Sequence, residues 1–202
     1  MSEELYVVTP EINAWIGKAE FRPDMEFPWD DVSISGEIDA GFEMNIDWKR
    51  LKEIDLDYFN KSAPIVSEKF SSVCLKQRVD CQLVPLDIVL NGNKVDGKYY
   101  FILLNKFISF VNMEKTTFTR MMTRDGTRYE MSKNFPEIPE FDSLEKISIN
   151  NFEKPPFFMA PEIGFQRVCT GSFKAAIESD NIKGVVFTPI DKNFKYESLS
   201  FD

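Results

Sequence analysis

Histidine is absent from the 202 residues, and with it go the Ser-His-Asp and Cys-His nucleophile systems, the imidazole general base and every histidine-containing zinc site. Cysteine is scarce. Cys74, Cys81 and Cys169 form no CxxC pair, and three thiolates fall one ligand short of a closed structural zinc site. An odd number of thiols fits a reducing compartment, where they act as small buried hydrophobes. Long apolar runs are missing too: no stretch approaches 18 uninterrupted apolar residues, so no membrane-spanning helix is expected. The glycine-rich dinucleotide and P-loop motifs, the nucleophile elbow and the acidic calcium loop do not occur. What remains for an enzyme is carboxylate pairs, lysine, tyrosine or cysteine. The balance shifts toward binding, and neither a cofactor nor a metal is expected.

What is present describes a globular protein, 43% hydrophobic and 28% charged, long enough to build a core without metal or disulfide support. The expectation is a single domain over 1–202, with an acidic N-terminal part at 1–56 and a second part at 57–202. The net charge of −9 is unevenly spread: residues 1–60 hold 15 acids and 5 bases, whereas residues 61–202 hold 18 acids and 19 bases. Such an acidic segment repels nucleic-acid backbones and anionic lipid, and steers basic partners at rates that fall with salt; it also serves plain solubility. The N-terminal MSEELYVVTPEINAW has no basic n-region and no apolar h-region, which points to a cytoplasmic protein.

Leu5–Val8 reads as a strand ended by Thr9 and Pro10, and the stretch after it as acidic, proline-punctuated loop. Trp48, Leu51 and Ile54 at three-residue steps predict a short helix capped by Asp47. A second helix begins at Ser67, a good N-cap, with Glu68 in its first turn and Phe70, Val73 and Cys74 on one face. CQLVPLDIVLNG and Tyr99–Leu104 predict two antiparallel strands, Ile108–Val111 a third, and residues 116–131 a hairpin around Asp125 and Gly126. Leu144–Ile149 predicts a strand between proline-rich connections. Near the end a strand leads into a helix capped at Thr170 or Ser172, with Phe173, Ala176 and Ile177 inward, and Gly184 precedes a last strand. Phe70 lies 15 residues before Pro85 and Phe173 16 before Pro189, a candidate internal repeat. The fold class expected is α+β, a mainly antiparallel sheet with a few short helices and two βαβ-like segments.

Among candidate contacts, the acids Asp24, Glu26, Asp30 and Asp31 surround Phe27 and Trp29, with Pro23 and Pro28 interspersed. Aromatic anchors held by proline inside a ring of charge suit a protein interface, and Phe27, Trp29, Asp30 and Asp31 are the candidate partner-binding residues; large aromatics also simply close cores. Asp30-Asp31 or Asp55 with Asp57 can ligate a metal or act as an acid-base couple, although neighbouring carboxylates in an acidic region are ordinarily solvated surface. The bases Arg120, Arg124, Arg128 and Lys133 around the Asp-Gly turn can accept phosphate, against the ordinary reading of charges on a solvent-facing strand. The 19 phenylalanines belong to the core rather than to a base-stacking platform, which needs a positive groove.

From Asp57 onward, Asp57-Tyr58, IVSEKFSSVCL, the strand reaching Pro85, KYYFILLNKFISFVNMEKTTF and FFMAPEIGFQRVCTGSFKAAIESDNIKGVVFTPI follow one another in an order that resembles a bacterial immunity-protein family, the eleventh of the polymorphic-toxin immunity series, long described only as a domain of unknown function. The resemblance covers most of 57–190 and none of 1–56. It implies a protein that binds and neutralises a cognate secreted toxin, stoichiometrically and without catalysis, with the toxin's effector domain as partner and no nucleic acid or membrane. The missing export signal turns that expectation toward a toxin acting in the cytosol. The alternatives are a small carboxylate-based enzyme or carbohydrate- or ligand-binding protein, which requires a pocket holding two acids, and an assembly protein with a self-complementary apolar patch.

Overall fold

The computed structural model describes residues 4–11, 19–22, 41–59 and 64–198, with the backbone alone at 19–22. In chain order the first elements are β1 (Leu5–Pro10), β2 (Ala19–Arg22), β3 (Phe42–Ile46), β4 (Tyr58–Phe59), β5 (Ile65–Ser67), α1 (Glu68–Lys76), β6 (Cys81–Leu90), β7 (Asn93–Lys94) and β8 (Tyr99–Leu104). There follow β9 (Thr117–Arg120), β10 (Phe141–Glu145), β11 (Phe157–Ala160), a 3-10 turn at Pro161–Ile163, β12 (Gln166–Thr170), α2 (Gly171–Ser179), β13 (Val185–Pro189) and β14 (Lys195–Glu197). Strand dominates, most strand pairings among the described residues are antiparallel, and the described residues hold two α-helices, as the α+β reading expects. The chain divides into two compact units: unit 1 is Met1–Val8, Lys106–Ser172 and Phe187–Asp202, and unit 2 is Thr9–Asn105 and Phe173–Val186.

Unit 2 is built on a mixed sheet of order β2-β3-β6-β8-β5-β4, with β7 folded back on β6. Only β3 and β6 run parallel, Phe42 opposite Leu86 and Ile46 opposite Leu90. Period-two alternation sends Val84, Leu86, Ile88 and Leu90 to one face together with Phe42, Met44, Ile46 and Phe101. At about 2 kcal/mol for each fully buried large apolar side chain, this face is the unit's main source of stability. Leu51, Ile54 and Leu56 pack on it from a segment without regular secondary structure, which corrects the helix expected at 48–54. The cause is long-range: Asn91 accepts the Trp48 N–H at 2.8 Å and donates to the carbonyls of Trp48 and Leu51 at 3.1 Å, so a side chain 40 or more positions away takes two carbonyls that a helix would pair internally.

Helix α1 forms where its cap and spacing predict. Ser67 Oγ accepts the Phe70 N–H at 3.2 Å, Glu68 and Lys76 suit the two ends of the dipole, and Phe70, Val73 and Cys74 are buried. The Phe70 ring packs against Tyr58 at 5.2 Å and Phe173 of α2 at 6.2 Å between centroids, so α1 and α2 share one aromatic contact within this unit.

Unit 1 contains a sheet of order β11-β12-β1-β13 and another of order β14-β10-β9. Leu5 pairs with Thr170 and Val8 with Arg167. Its core gathers Leu5, Val7, Phe110, Phe141, Leu144, Phe158 and Val168. Ile108–Val111 is not a strand: Phe107 and Val111 make only isolated bridges, to Met159 and Ile149, although Phe110 and Val111 are buried. The strand expected at 144–149 lies earlier, at Phe141–Glu145, because Lys146 takes a left-handed φ of 50° and breaks the extended backbone. The Asp-Gly hairpin is present, but its returning limb is held by isolated bridges, Met122 to Tyr129 and Met131 to Pro139, rather than by a full ladder.

Candidate interaction surfaces

In unit 2 a cleft of about 770 Å³ opens beside β3, β6 and β8, lined among others by Phe42, Glu43, Asp87, Lys98, Tyr99 and Tyr100. Glu43 and Asp87 are register partners across the parallel pair, on the face opposite the core. Each is already engaged: Glu43 accepts from Asn45 at 2.9 Å, and Asp87 pairs with Lys94 at 2.9 Å. Burial, and then the nearby Asp57 and Asp55, push the Tyr99 phenol above its ordinary value, so it stays a neutral hydrogen-bonding wall of the cleft at physiological pH.

Asp55 and Asp57 come together on Lys183. The ammonium meets the two Asp55 oxygens at 2.7 and 2.6 Å, while Asp57 Oδ2 accepts the Lys183 backbone N–H at 2.9 Å. Asp57 Oδ1 accepts the Ser67 hydroxyl at 2.6 Å. Asp57 therefore joins the α1 cap to the turn after α2. This corrects the reading of the pair as an acid-base couple: their oxygens are committed to holding the chain. Gly184, next in sequence, is buried at φ +87°, and a Cβ there would run into the Tyr58 carbonyl oxygen.

Of the bases around the Asp-Gly turn, Arg120, Arg124 and Arg128 lie on an arm of unit 1 formed by residues 117–131, and Lys133 follows it. Arg120 Cζ stands 5.5 Å from the Phe118 ring centroid and 5.2 Å from that of Tyr129, a contact worth about 0.5–1 kcal/mol at exposed sites. At the tip, Asp125 accepts from the hydroxyls of Thr123 at 2.6 Å and Thr127 at 2.8 Å and from the Thr127 N–H at 3.1 Å. These bonds, the Thr123 hydroxyl first, hold its carboxyl below the usual range and pre-order the turn. Met122, Tyr129 and Met131 are 43%, 53% and 44% exposed.

One acid of unit 1 is deeply buried. Glu162, 3% exposed, accepts the Ser109 hydroxyl at 2.5 Å and the Val111 N–H at 3.2 Å through Oε1, while Oε2 has no partner among the described residues. Desolvation raises its pKa, partly opposed by those hydrogen bonds. In unit 2 the Cys81 thiol is pushed up to about 11 by burial and Asp80, and that of Cys74 still further by burial and Cys81; both are protonated, structural thiols at neutral pH.

The chain matches no family model and no curated protein.

Phe27, Trp29, Asp30 and Asp31, the candidate partner contacts, lie outside the described residues. Among the described residues no group of three or more Cys, Asp or Glu is placed to hold a metal ion, and no helix is long and apolar enough to cross a membrane. Sequence reasoning missed two features. Glu162 sits in APEIG between Pro161 and Ile163, an acid inside an apolar run, which is the available signal for burial. Met122, Tyr129 and Met131 belong to a hairpin the sequence does announce, but whether a hairpin face is covered depends on distant elements.

Proposed function

We propose that the protein is an immunity protein, which binds a cognate toxin domain in the cytosol of the producing cell and neutralises it stoichiometrically. The observation that carries this reading is the way the segments bearing the family resemblance interlock. Asp57-Tyr58, IVSEKF and GSFKAAIESDNIKG are up to 126 positions apart, yet Asp57 bonds Ser67 and Lys183, and the Tyr58, Phe70 and Phe173 rings form one row. A shared sequence pattern whose parts lock together supports a common module rather than a chance order of apolar runs. The two βαβ-like segments belong to the same reading: β5–α1–β6 and β12–α2–β13 each place a nine-residue helix between strands that flank a third, β8 in one and β1 in the other. In this proposal Phe27, Trp29, Asp30 and Asp31 meet a basic face of the toxin, with the N-terminal acidity steering the encounter.

The test is a pull-down of the tagged protein against an inactivated copy of the toxin domain encoded beside it, at low and high salt. A complex that weakens with salt, and that Trp29→Ala with Asp30→Ala disrupts, is expected; no complex at either salt overturns the proposal. A second reading, a small carboxylate enzyme or ligand-binding protein, draws on the Glu43 and Asp87 pair in the unit 2 cleft. Thermal stabilisation by a sugar or cationic small molecule that Glu43→Gln abolishes would favour it.

A further inference from the structure

The arm of unit 1 carries an apolar face that outlasts the core it comes from. Phe118 pairs with Leu144 and Arg120 with Phe141, and the Phe118 and Phe141 rings meet edge to face at 5.5 Å, so this side of β9 faces the core. Alternation keeps Phe118, Arg120 and Met122 on one side. The Met122–Tyr129 bridge and the Glu130 N–H bond to the Met121 carbonyl continue the same register, which puts Tyr129 and Met131 on that side as well. Beyond Phe118 the face is open: Met122, Tyr129 and Met131 are exposed, whereas their counterparts nearer the core, Phe141 and Leu144, are buried. Arg120 lies on the face between two rings. Arg124 and Lys133 border it, exposed and without an ion-pair partner among the described residues, while Arg128, opposite Thr123, alternates to the other side. Of the acids on the arm, Asp125 is bound into the turn, and Glu130 falls at the alternate position, on the other side.

We propose that this face is a docking surface for a protein partner that presents apolar side chains within a rim of carboxylates. Met, Tyr and Arg are the residues enriched where proteins bind proteins, and Arg and Tyr recur among hot spots. The unpaired guanidinium groups specify the sign of the rim, since an acidic rim gains on contact and a basic one is repelled. A nucleic acid fits less well: the chain as a whole carries −9, which repels a polyphosphate, and two methionines offer it no hydrogen bond. The tied turn and the Arg120 ring contacts hold the face in shape before binding, which lowers its ordering cost. This surface goes beyond the toxin-binding proposal, being separate in sequence from Phe27–Asp31 and opposite in charge.

The experiment uses the full chain with 13C-labelled methionine methyls, the Met122 and Met131 signals being assigned by Met→Leu variants. The probe is a 12-residue peptide with leucines and a tryptophan flanked by glutamates; its lysine-for-glutamate counterpart and a 12-nucleotide oligothymidine are the controls. The acidic peptide should shift both methyl signals saturably while Met44 stays still, with a Kd at least fivefold weaker at high salt. Arg124→Glu with Lys133→Glu should weaken it at least tenfold, and Tyr129→Ser should do likewise with the charges intact. The proposal is overturned if the Met122 and Met131 signals do not move, if the lysine peptide moves them equally, or if oligothymidine binds as tightly as the acidic peptide.

Discussion

The Asp57 junction of unit 2 and the arm of unit 1 treat their charged groups differently. Beside the unit 2 core, Asp57 is bound by Ser67 and by the Lys183 amide, Asp55 by the Lys183 ammonium, and Glu68 by Lys98 at 2.8 Å. In unit 1 a carboxylate is buried with one oxygen unanswered, and three bases at the arm have no ion-pair partner among the described residues. Polar groups that satisfy one another make a self-sufficient module, whereas unanswered ones mark where stability is given up for something else. The contrast implies that substitutions at the Asp57 junction act on folding, and that those at the unit 1 arm act on binding.

The sharpest way to break the contrast is Gly184→Ala in unit 2. The left-handed φ and the approach of the Tyr58 carbonyl leave no place for a methyl, and a loss of about 3 kcal/mol is expected in urea unfolding. Asp57→Ala comes next, at about 2 kcal/mol, because it leaves the Ser67 hydroxyl and the Lys183 amide without their acceptor; Asp57→Asn should recover part of it. A full loss of stability from an arm substitution, or none from these two, would erase the distinction.

Glu162 sharpens it through pH. Its folded pKa is raised by burial, so the folded protein holds the proton more tightly than the unfolded chain. The stability tied to that proton is complete below the ordinary carboxylate pKa and is lost as pH rises through the raised folded value. Urea midpoints between about pH 4 and pH 7 should therefore fall more steeply for the wild type than for Glu162→Gln, which keeps an acceptor for Ser109 and Val111 without a charge. Equal slopes would mean that Glu162 is ionised at no cost. The smallest effect belongs to the arm: Met122→Ser should change stability by no more than about 0.5 kcal/mol, its side chain being already exposed, and Tyr129→Ser by no more than about 1 kcal/mol, since it also removes the ring under Arg120.

Local signals were readable wherever local physics decides. Ser67 and Glu68 with the Phe70, Val73, Cys74 spacing yield α1, and the Asn91-Gly92 turn, with φ of 51° and 81°, sends β6 back into β7 as its residue types require. The failures share a distant cause. The apolar steps at 48–54 suit a helix until Asn91 claims their backbone, and Ile108–Val111 is apolar because Glu162 and the unit 1 core enclose it, not because it pairs in a ladder. The candidate site was legible as composition, in the arginines around an Asp-Gly turn, but not as exposure. Which face of that hairpin escapes cover is settled by β10, some 20 residues on.

The division of the chain into interleaved segments also bears on how the protein is made. Unit 1 draws on Met1–Val8, Lys106–Ser172 and Phe187–Asp202, and β1 finds its partner β12 only at Gln166–Thr170. During synthesis β1 must wait, unpaired, while the strands of unit 2 emerge. Pairing across such separations is slow because loop closure precedes any gain from contact. Unit 2 in turn lacks α2 and the Lys183 contacts until residue 186 has emerged. The nascent chain therefore completes unit 2 only at Val186 and unit 1 only after it, and no single cut yields either one whole.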